Sequence, residues 1–161
     1  MKKLKLYLDT SMISHLDHQD TPDKMADTLA LWQEVEDGIY DVYLSFIFFE
    51  EILECSPEKR NTLAKYLSRI EYTHIEPNNE IFTLADEFLK QGILKQKSYD
   101  DAQHLASAMI YDCDAVISWN FKHMVNIKTI NGIKIVSALT GYKDVAIYTP
   151  SVLIGGNDND S

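Results

Sequence analysis

Short apolar runs alternate along this chain with longer segments in which apolar positions recur every three or four residues. The first kind reads as buried strands and the second as helices packed by one face. Leu4–Asp9 predicts the first strand, with a helix from Ser11 onward. After the polar turn "DHQDTPD", Pro22 and Asp23 start a helix to about Asp37, with Met25, Leu29, Trp32 and Val35 on one face and Gly38 ending it. Asp41–Ser45 predicts the second strand and Phe46 to Glu54 a helix, and Pro57 opens another helix from its first position. "YTHIE" is a brief third strand, after which Asn78 or Asn79 caps a helix through Phe82, Ala85, Phe88 and Leu89. "SYDDAQHLASAMIYD" is a further helix, "DAVISW" the fourth strand, Ile127–Leu139 a helix and "DVAIY" the fifth strand.

Strands alternating with helices call for a mainly parallel sheet covered on both faces, a three-layer α/β/α sandwich. The simplest doubly wound arrangement is flavodoxin-like, with strand order 3-2-1-4-5. Its ligands lie beyond the carboxyl ends of the strands, where the order reverses beside the first strand. With no internal repeat or linker, residues 1–150 read as one domain, and 151–161 as a short polar, flexible tail.

Composition adds limits to that picture. A chain of 161 residues with 45% apolar and 25% charged side chains is ordinary for a globular domain. Chains of this length bury about two-thirds of their unfolded surface, so no disulfide or metal is needed for folding. Cys55 and Cys113 are far apart and form no metal-type cluster, which suits a reduced, cytoplasmic protein. The opening "MKKLKLYLD" is too short and too broken by Lys5 for a signal peptide, and no run approaches a membrane span. The net charge of −10 excludes nucleic-acid binding by overall charge. A role on a polyanion needs local lysines, a bound cation or a basic partner.

Charge becomes informative at the carboxyl edge. Asp9 ends the first strand there. Asn120 follows the fourth strand directly, Glu50 and Glu51 lie in the helix after the second, and Asp100 and Asp101 open the helix that leads into the fourth. Asp114 precedes the fourth strand and belongs at the opposite edge. Crowded carboxylates repel one another unless protons or a cation compensate. A hard divalent ion accepts such oxygens, and it activates water against phosphoryl groups.

Each residue also has a plainer reading. Asp9 followed by Thr10 suits a helix cap, and Ser98-x-x-Asp101 has the spacing of a capping box. One of Glu50 and Glu51 points to solvent, and Asn120 suits the start of a turn. His104, one turn beyond Asp101, reads first as a histidine packed within its helix and second as one that orients a carboxylate. Tyr43, Phe46, Phe48, Phe49, Phe82 and Phe88 fall at core or dimer-surface spacings rather than forming a base-stacking platform. Lys90, Lys95, Lys97 and Lys122 lie near the acidic edge in sequence, with His123 beside them, and are candidates for substrate binding.

The segments "YLDTSMI", "LSFIFFEEI", "DDAQHLASAMIYDCDAVISWNFKHM" and "YTPSVL" together resemble the PIN-domain family, which includes VapC-type toxins, over roughly residues 4–150. The resemblance implies a metal-dependent endoribonuclease using Mg²⁺ or Mn²⁺, with RNA as substrate, a small antitoxin as partner and a homodimeric assembly. By position it implies Asp9, Glu51 and Asp101 as catalytic and metal-binding acids, with Glu50 the weaker alternative to Glu51. The family's fourth acid falls on Asn120, which keeps an oxygen without the charge and acts more weakly or through water. Asp100 is a possible compensation, and Thr10 or Ser11 would hold a metal-bound water or a phosphate oxygen, plain capping being the other reading. A phosphatase of the dehalogenase type would want a second aspartate where Ser11 stands, and a receiver-type domain would want a lysine that "DVAIYTPS" lacks. The remaining alternative is a degenerate PIN fold that binds a partner without cutting RNA.

Overall fold

The computed structural model describes residues 2–155. Five strands, β1 (Lys5–Leu8), β2 (Asp41–Ser45), β3 (Thr73–Ile75), β4 (Ala115–Ile117) and β5 (Ala146–Tyr148), form one sheet in the order β3-β2-β1-β4-β5. Every pairing is parallel. Leu6 registers with Val42 on one side and Ala115 on the other. The α/β class and strand order are those expected from the alternation of patterns.

A central parallel strand is covered on both faces, which explains why β1 is apolar throughout rather than alternating. Leu6 and Leu8 face one core with Val42, Leu44 and Ile117. Tyr7 faces the other with Val116, Ile75 and Ile147. The first core is closed by α1 (Thr10–Ser14), α2 (Pro22–Glu36), α4 (Pro57–Leu67) and α8 (Pro150–Gly155). The second is closed by α5 (Asn79–Lys90), α6 (Tyr99–Ile110) and α7 (Ile127–Thr140). The short α3 (Phe46–Glu51) leaves β2 and sends Phe48 into the first core and Phe46 and Ile47 into the second.

Local signals set the boundaries. Asn78 caps α5 through Ile81 N, Ser56 caps α4 with Pro57 at its first position, and Asn126 caps α7 through Thr129 N. Gly38 follows α2 at φ +79°, a conformation that glycine adopts without a Cβ clash. Gly132 serves a different need, because a Cβ there would meet Ile93 at 2.5 Å, and α7 packs closely only without one.

Three expectations need correction. The helix predicted to Glu54 ends at Glu51 and continues as a 3₁₀ turn, Ile52–Glu54. The buried face of α2 centres on Thr28, Leu31, Trp32 and Val35, leaving Met25 and Leu29 half-buried. Thr28 is drawn inward by a polar contact, its Oγ1 accepting from Trp119 Nε1 at 2.8 Å. The tail expected from residue 151 begins inside α8, whose Leu153 and Ile154 pack on the first core. Residues 156–161 lie outside the described residues. Lys90 pairs with Glu87 at 3.8 Å on the exposed side of α5. No helix among the described residues is long and apolar enough to cross a membrane.

Candidate active site

The site begins where β1 stops. Asp9 N donates to Ile117 O at 3.2 Å, still in register with β4, and the backbone then turns into α1. Asp9 is the N-cap, its Oδ1 accepting from Met12 N at 2.9 Å and from Ser11 Oγ at 2.8 Å. Capping therefore describes part of the group's work. It also fixes a buried carboxylate, 3% exposed, at the carboxyl edge of the sheet. Burial raises the Asp9 carboxyl above its ordinary range, although His104 and the capping bonds work against that rise.

Glu51 arrives from the end of α3, half-buried, while Glu50 is exposed. The choice between the two acids is thus made by the helix, which turns one outward. Glu51 Oε1 accepts from Thr10 Oγ1 at 2.5 Å and lies 3.0 Å from His104 Nε2. Burial pushes the Glu51 carboxyl up, but the hydrogen bond and charge of His104, with the Thr10 hydroxyl, bring it below the usual range.

Asp101 comes from the first turn of α6. Ser98 stands at the N-cap position without a side-chain capping bond, so Asp101 is not locked in the capping box its spacing suggested. Its carboxyl is pushed up to about 6, first by burial and then by the charges of Asp9, Glu51 and Asp100, against a lowering by His104. Asp100 itself is exposed and acts on the cluster only through its charge. Three carboxylates from three separate elements thus share one electrostatic environment, and Asp101 bears most of the repulsion.

His104 was expected first as a packed helix residue. It is packed, being 2% exposed, but it also links two elements of the site. Nδ1 lies 2.6 Å from Tyr7 Oη, which lies 2.6 Å from Ser45 Oγ, and Nε2 faces Glu51. Burial alone would hold the imidazole neutral, but the Glu51 hydrogen bond and the charges of Glu51, Asp9 and Asp101 raise it above its ordinary value. The chain of contacts Ser45–Tyr7–His104–Glu51 runs from the sheet interior to the acid. Tyr7 and Ser45 were not singled out from sequence. Their strand positions carry an apolar signal, and only the lateral pairing of β1 with β2 reveals that their hydroxyls meet.

Thr10 and Ser11 both orient carboxylates: Thr10 donates to Glu51, and Ser11 donates to Asp9 while accepting from Trp119 N at 2.9 Å. Asn120 emerges at the same edge, but its Oδ1 accepts from His123 N at 3.0 Å and so caps its own turn. Its backbone N donates to Ser118 Oγ. Asp114 lies at the opposite edge, as expected, where its Oδ2 accepts from Lys5 N at 2.8 Å.

Two chains of solved complexes share this architecture. A chain of VapBC2 from Rickettsia felis, in a structure bound to a DNA fragment from their promoter, superimposes with a TM-score of 0.57 at 15% identity, over 91% of this chain and 98% of that one. A chain of VapBC-1 from nontypeable Haemophilus influenzae gives a TM-score of 0.57 at 15% identity, over 92% of this chain and 99% of that one. The fold is PIN-like. No family model matches the sequence, and no curated protein is a significant match. At this identity the likeness is one of fold, and the residues of the edge have to speak for the chemistry.

Asp9, Glu51 and Asp101 supply hard oxygen donors, and a cation would relieve the repulsion that raises Asp101. Among the described residues no three His, Cys, Asp or Glu side chains are placed to hold one ion directly. One or two of these carboxylates would be left to hold a hydrated divalent ion, the manner in which Mg²⁺ is commonly bound. Both cysteines are free and lie outside this donor set, and burial pushes the Cys113 thiol up to about 12.

Proposed function

We propose that the protein is a divalent-metal-dependent endoribonuclease, acting as the toxin of a toxin–antitoxin pair in the cytoplasm. The observation that carries this reading is the convergence of Asp9, Glu51 and Asp101 from β1, α3 and α6 at the sheet's carboxyl edge, with Asp101 lifted to about 6 first by burial and then by its acidic neighbours. The fold shared with chains of VapBC complexes supports an antitoxin partner, and a homodimeric assembly is part of the same proposal.

In this reading one or two of the carboxylates of Asp9, Glu51 and Asp101 would hold a hydrated Mg²⁺ or Mn²⁺. When bound, the ion supplies Lewis-acid stabilisation of a phosphodiester and an acidic water, and the product keeps a 5′-phosphate. The chain's own residues do the positioning. Asp9 is held by Met12 N and Ser11, so its carboxylate keeps one orientation. Glu51 is held by Thr10 and His104. The Glu51 hydrogen bond and the surrounding acids favour a proton on His104, which would offset part of the acids' charge. Asn120 contributes weakly, since its side-chain oxygen is engaged by His123 N.

Calorimetry with Mn²⁺ on the wild type and Asp9→Asn, paired with an RNA-cleavage assay, tests the reading. Asn preserves the helix cap, so the variant folds. It should lose Mn²⁺ binding, and cleavage should fall by at least about a hundredfold. Unchanged binding in Asp9→Asn sinks the proposed site. The capped state of Asn120 favours one second reading, a PIN-like fold that binds a protein without cutting RNA. That reading predicts no cleavage in excess Mn²⁺ together with tight binding to a partner.

A further inference from the structure

A tryptophan and two hydroxyls tie Asp9 to α2, a helix that contributes no acid to the site. Trp119 stands just past β4, 8% exposed, and is held through both its side chain and its backbone. The indole Nε1 donates to Thr28 Oγ1 at 2.8 Å, and the backbone N donates to Ser11 Oγ at 2.9 Å. The two acceptors belong to α2 and α1, so one residue joins both helices to the end of β4.

Counting protons gives each contact a direction. A hydroxyl has one proton, and that of Thr28 goes to Lys24 O at 2.7 Å, so Thr28 accepts from the indole. Thr28 is fully buried, and the indole has no second acceptor among the described residues. A valine has nearly the same shape, so packing gives no reason for a hydroxyl at this position of α2. The Ser11 proton goes to Asp9 Oδ1 at 2.8 Å. Its lone pairs receive Trp119 N and the buried Ser118 Oγ, which lies 3.2 Å away. With those positions filled, the Ser11 proton has one direction left, toward the carboxylate. Capping alone does not require this, because Met12 N already donates to Oδ1 at 2.9 Å from within α1. The bond that fixes Ser11 comes instead from a residue far along the chain.

We propose that Thr28 is a positioning residue for Asp9, acting through Trp119 and Ser11. This rests on the metal-site reading for what Asp9 does, and adds that α2 sets the direction of its carboxylate. Without the Thr28 hydroxyl a buried indole N–H has no acceptor, a costly state that the ring escapes by shifting. The backbone of 118–120 moves with the ring, Ser11 loses its donor, and its hydroxyl is free to turn from Asp9. A carboxylate held less firmly binds a cation more weakly, because the partners that orient a ligand carry part of the affinity.

Thr28→Val, Thr28→Ser, Trp119→Phe and the combination of Thr28→Val with Trp119→Phe test the path by two measurements. The first is hydrogen exchange of the Trp119 backbone amide in the metal-free protein. It is taken relative to the amide of Phe88, buried in the second core, which reports global opening. Thr28→Val should speed the Trp119 amide at least about tenfold, and Thr28→Ser should restore it. The second is Mn²⁺ affinity by calorimetry. Thr28→Val should weaken it at least about threefold, and Thr28→Ser by less than about twofold. In the Trp119→Phe background, where the indole donor is gone, Thr28→Val should change neither quantity further. The path is overturned if Thr28→Val leaves the Trp119 amide unmoved, if serine fails to restore it, or if the valine costs as much without the indole as with it. Unchanged Mn²⁺ affinity in Thr28→Val beside a loosened amide overturns the effect on Asp9. If the wild type binds no Mn²⁺, the metal reading falls by itself, and exchange in the metal-free protein still decides whether Thr28 holds Ser11 in place.

Discussion

The two ends of the sheet use the same residue type in opposite ways. At the amino edge Asp114 meets complementary groups: Lys5 N donates to its Oδ2, and Lys143 Nζ lies 3.7 Å from its Oδ1. The Lys5 side chain in turn reaches Tyr111 O at 2.7 Å. At the carboxyl edge Asp9, Glu51 and Asp101 share one electrostatic environment, with the buried His104 hydrogen-bonded to Glu51 among them. The first arrangement lowers the free energy of the folded chain. The second raises it and leaves donors oriented for something absent from the polypeptide. An acid that satisfies its neighbours is architecture; one kept unsatisfied, at the edge where such sheets bind ligands, is the mark of a site.

The largest effect should come from the link between the two. His104 positions Glu51, so His104→Ala should reduce Mn²⁺ affinity by about 10- to 100-fold, measured by calorimetry. His104→Gln, which keeps a donor, should recover part of that loss. Equal affinities in the wild type and both variants would reduce the Tyr7–His104–Glu51 chain to packing alone.

A smaller effect, of opposite sign to most core substitutions, belongs to Asp101. Its carboxyl sits at about 6 in the folded chain and in the ordinary range when unfolded. Between those values the unfolded chain ionises more readily, so stability is lost as pH rises through the window. Asp101→Asn removes that loss. It should stabilise the metal-free protein at pH 8 by on the order of 1–2 kcal/mol, a figure discounted for partial exposure, and the gain should vanish as pH falls toward 4. Urea denaturation at both pH values checks this.

The smallest effect should be at the other edge. Asp114→Ala loses a charged hydrogen bond and a partly exposed ion pair, and should cost about 1 kcal/mol at pH 7 by the same denaturation experiment. RNA cleavage should be unchanged. A loss of activity there would erase the distinction between the two ends.

Much of this contrast is legible in the sequence, because topology alone sorts residues between edges. Once β1 lies in the middle of a parallel sheet, Asp9 and Asn120 must emerge at one end and Asp114 at the other. The remainder depends on contacts that no periodicity encodes. Thr28 is a buried helix position because Trp119, far along the chain, needs an acceptor for its Nε1. Tyr7 and Ser45 look like strand filling until lateral pairing brings their hydroxyls together and His104 joins them. Asn120 was placed at the correct edge, yet the destination of its side-chain oxygen was decided within its own turn, by His123 N.

The order β3-β2-β1-β4-β5 also has a consequence in time. β1 precedes its sheet partners in the chain yet occupies the centre of the sheet, and Leu6 waits for Ala115 before its second edge is covered. Pairing across so long a stretch of chain is slow to form. Until α6 and β4 have been synthesised, Asp101 has no helix to hold it and Asp9 N no Ile117 O to meet. The acids of the carboxyl edge are therefore gathered late, only once the segment carrying Ile117 has joined the sheet.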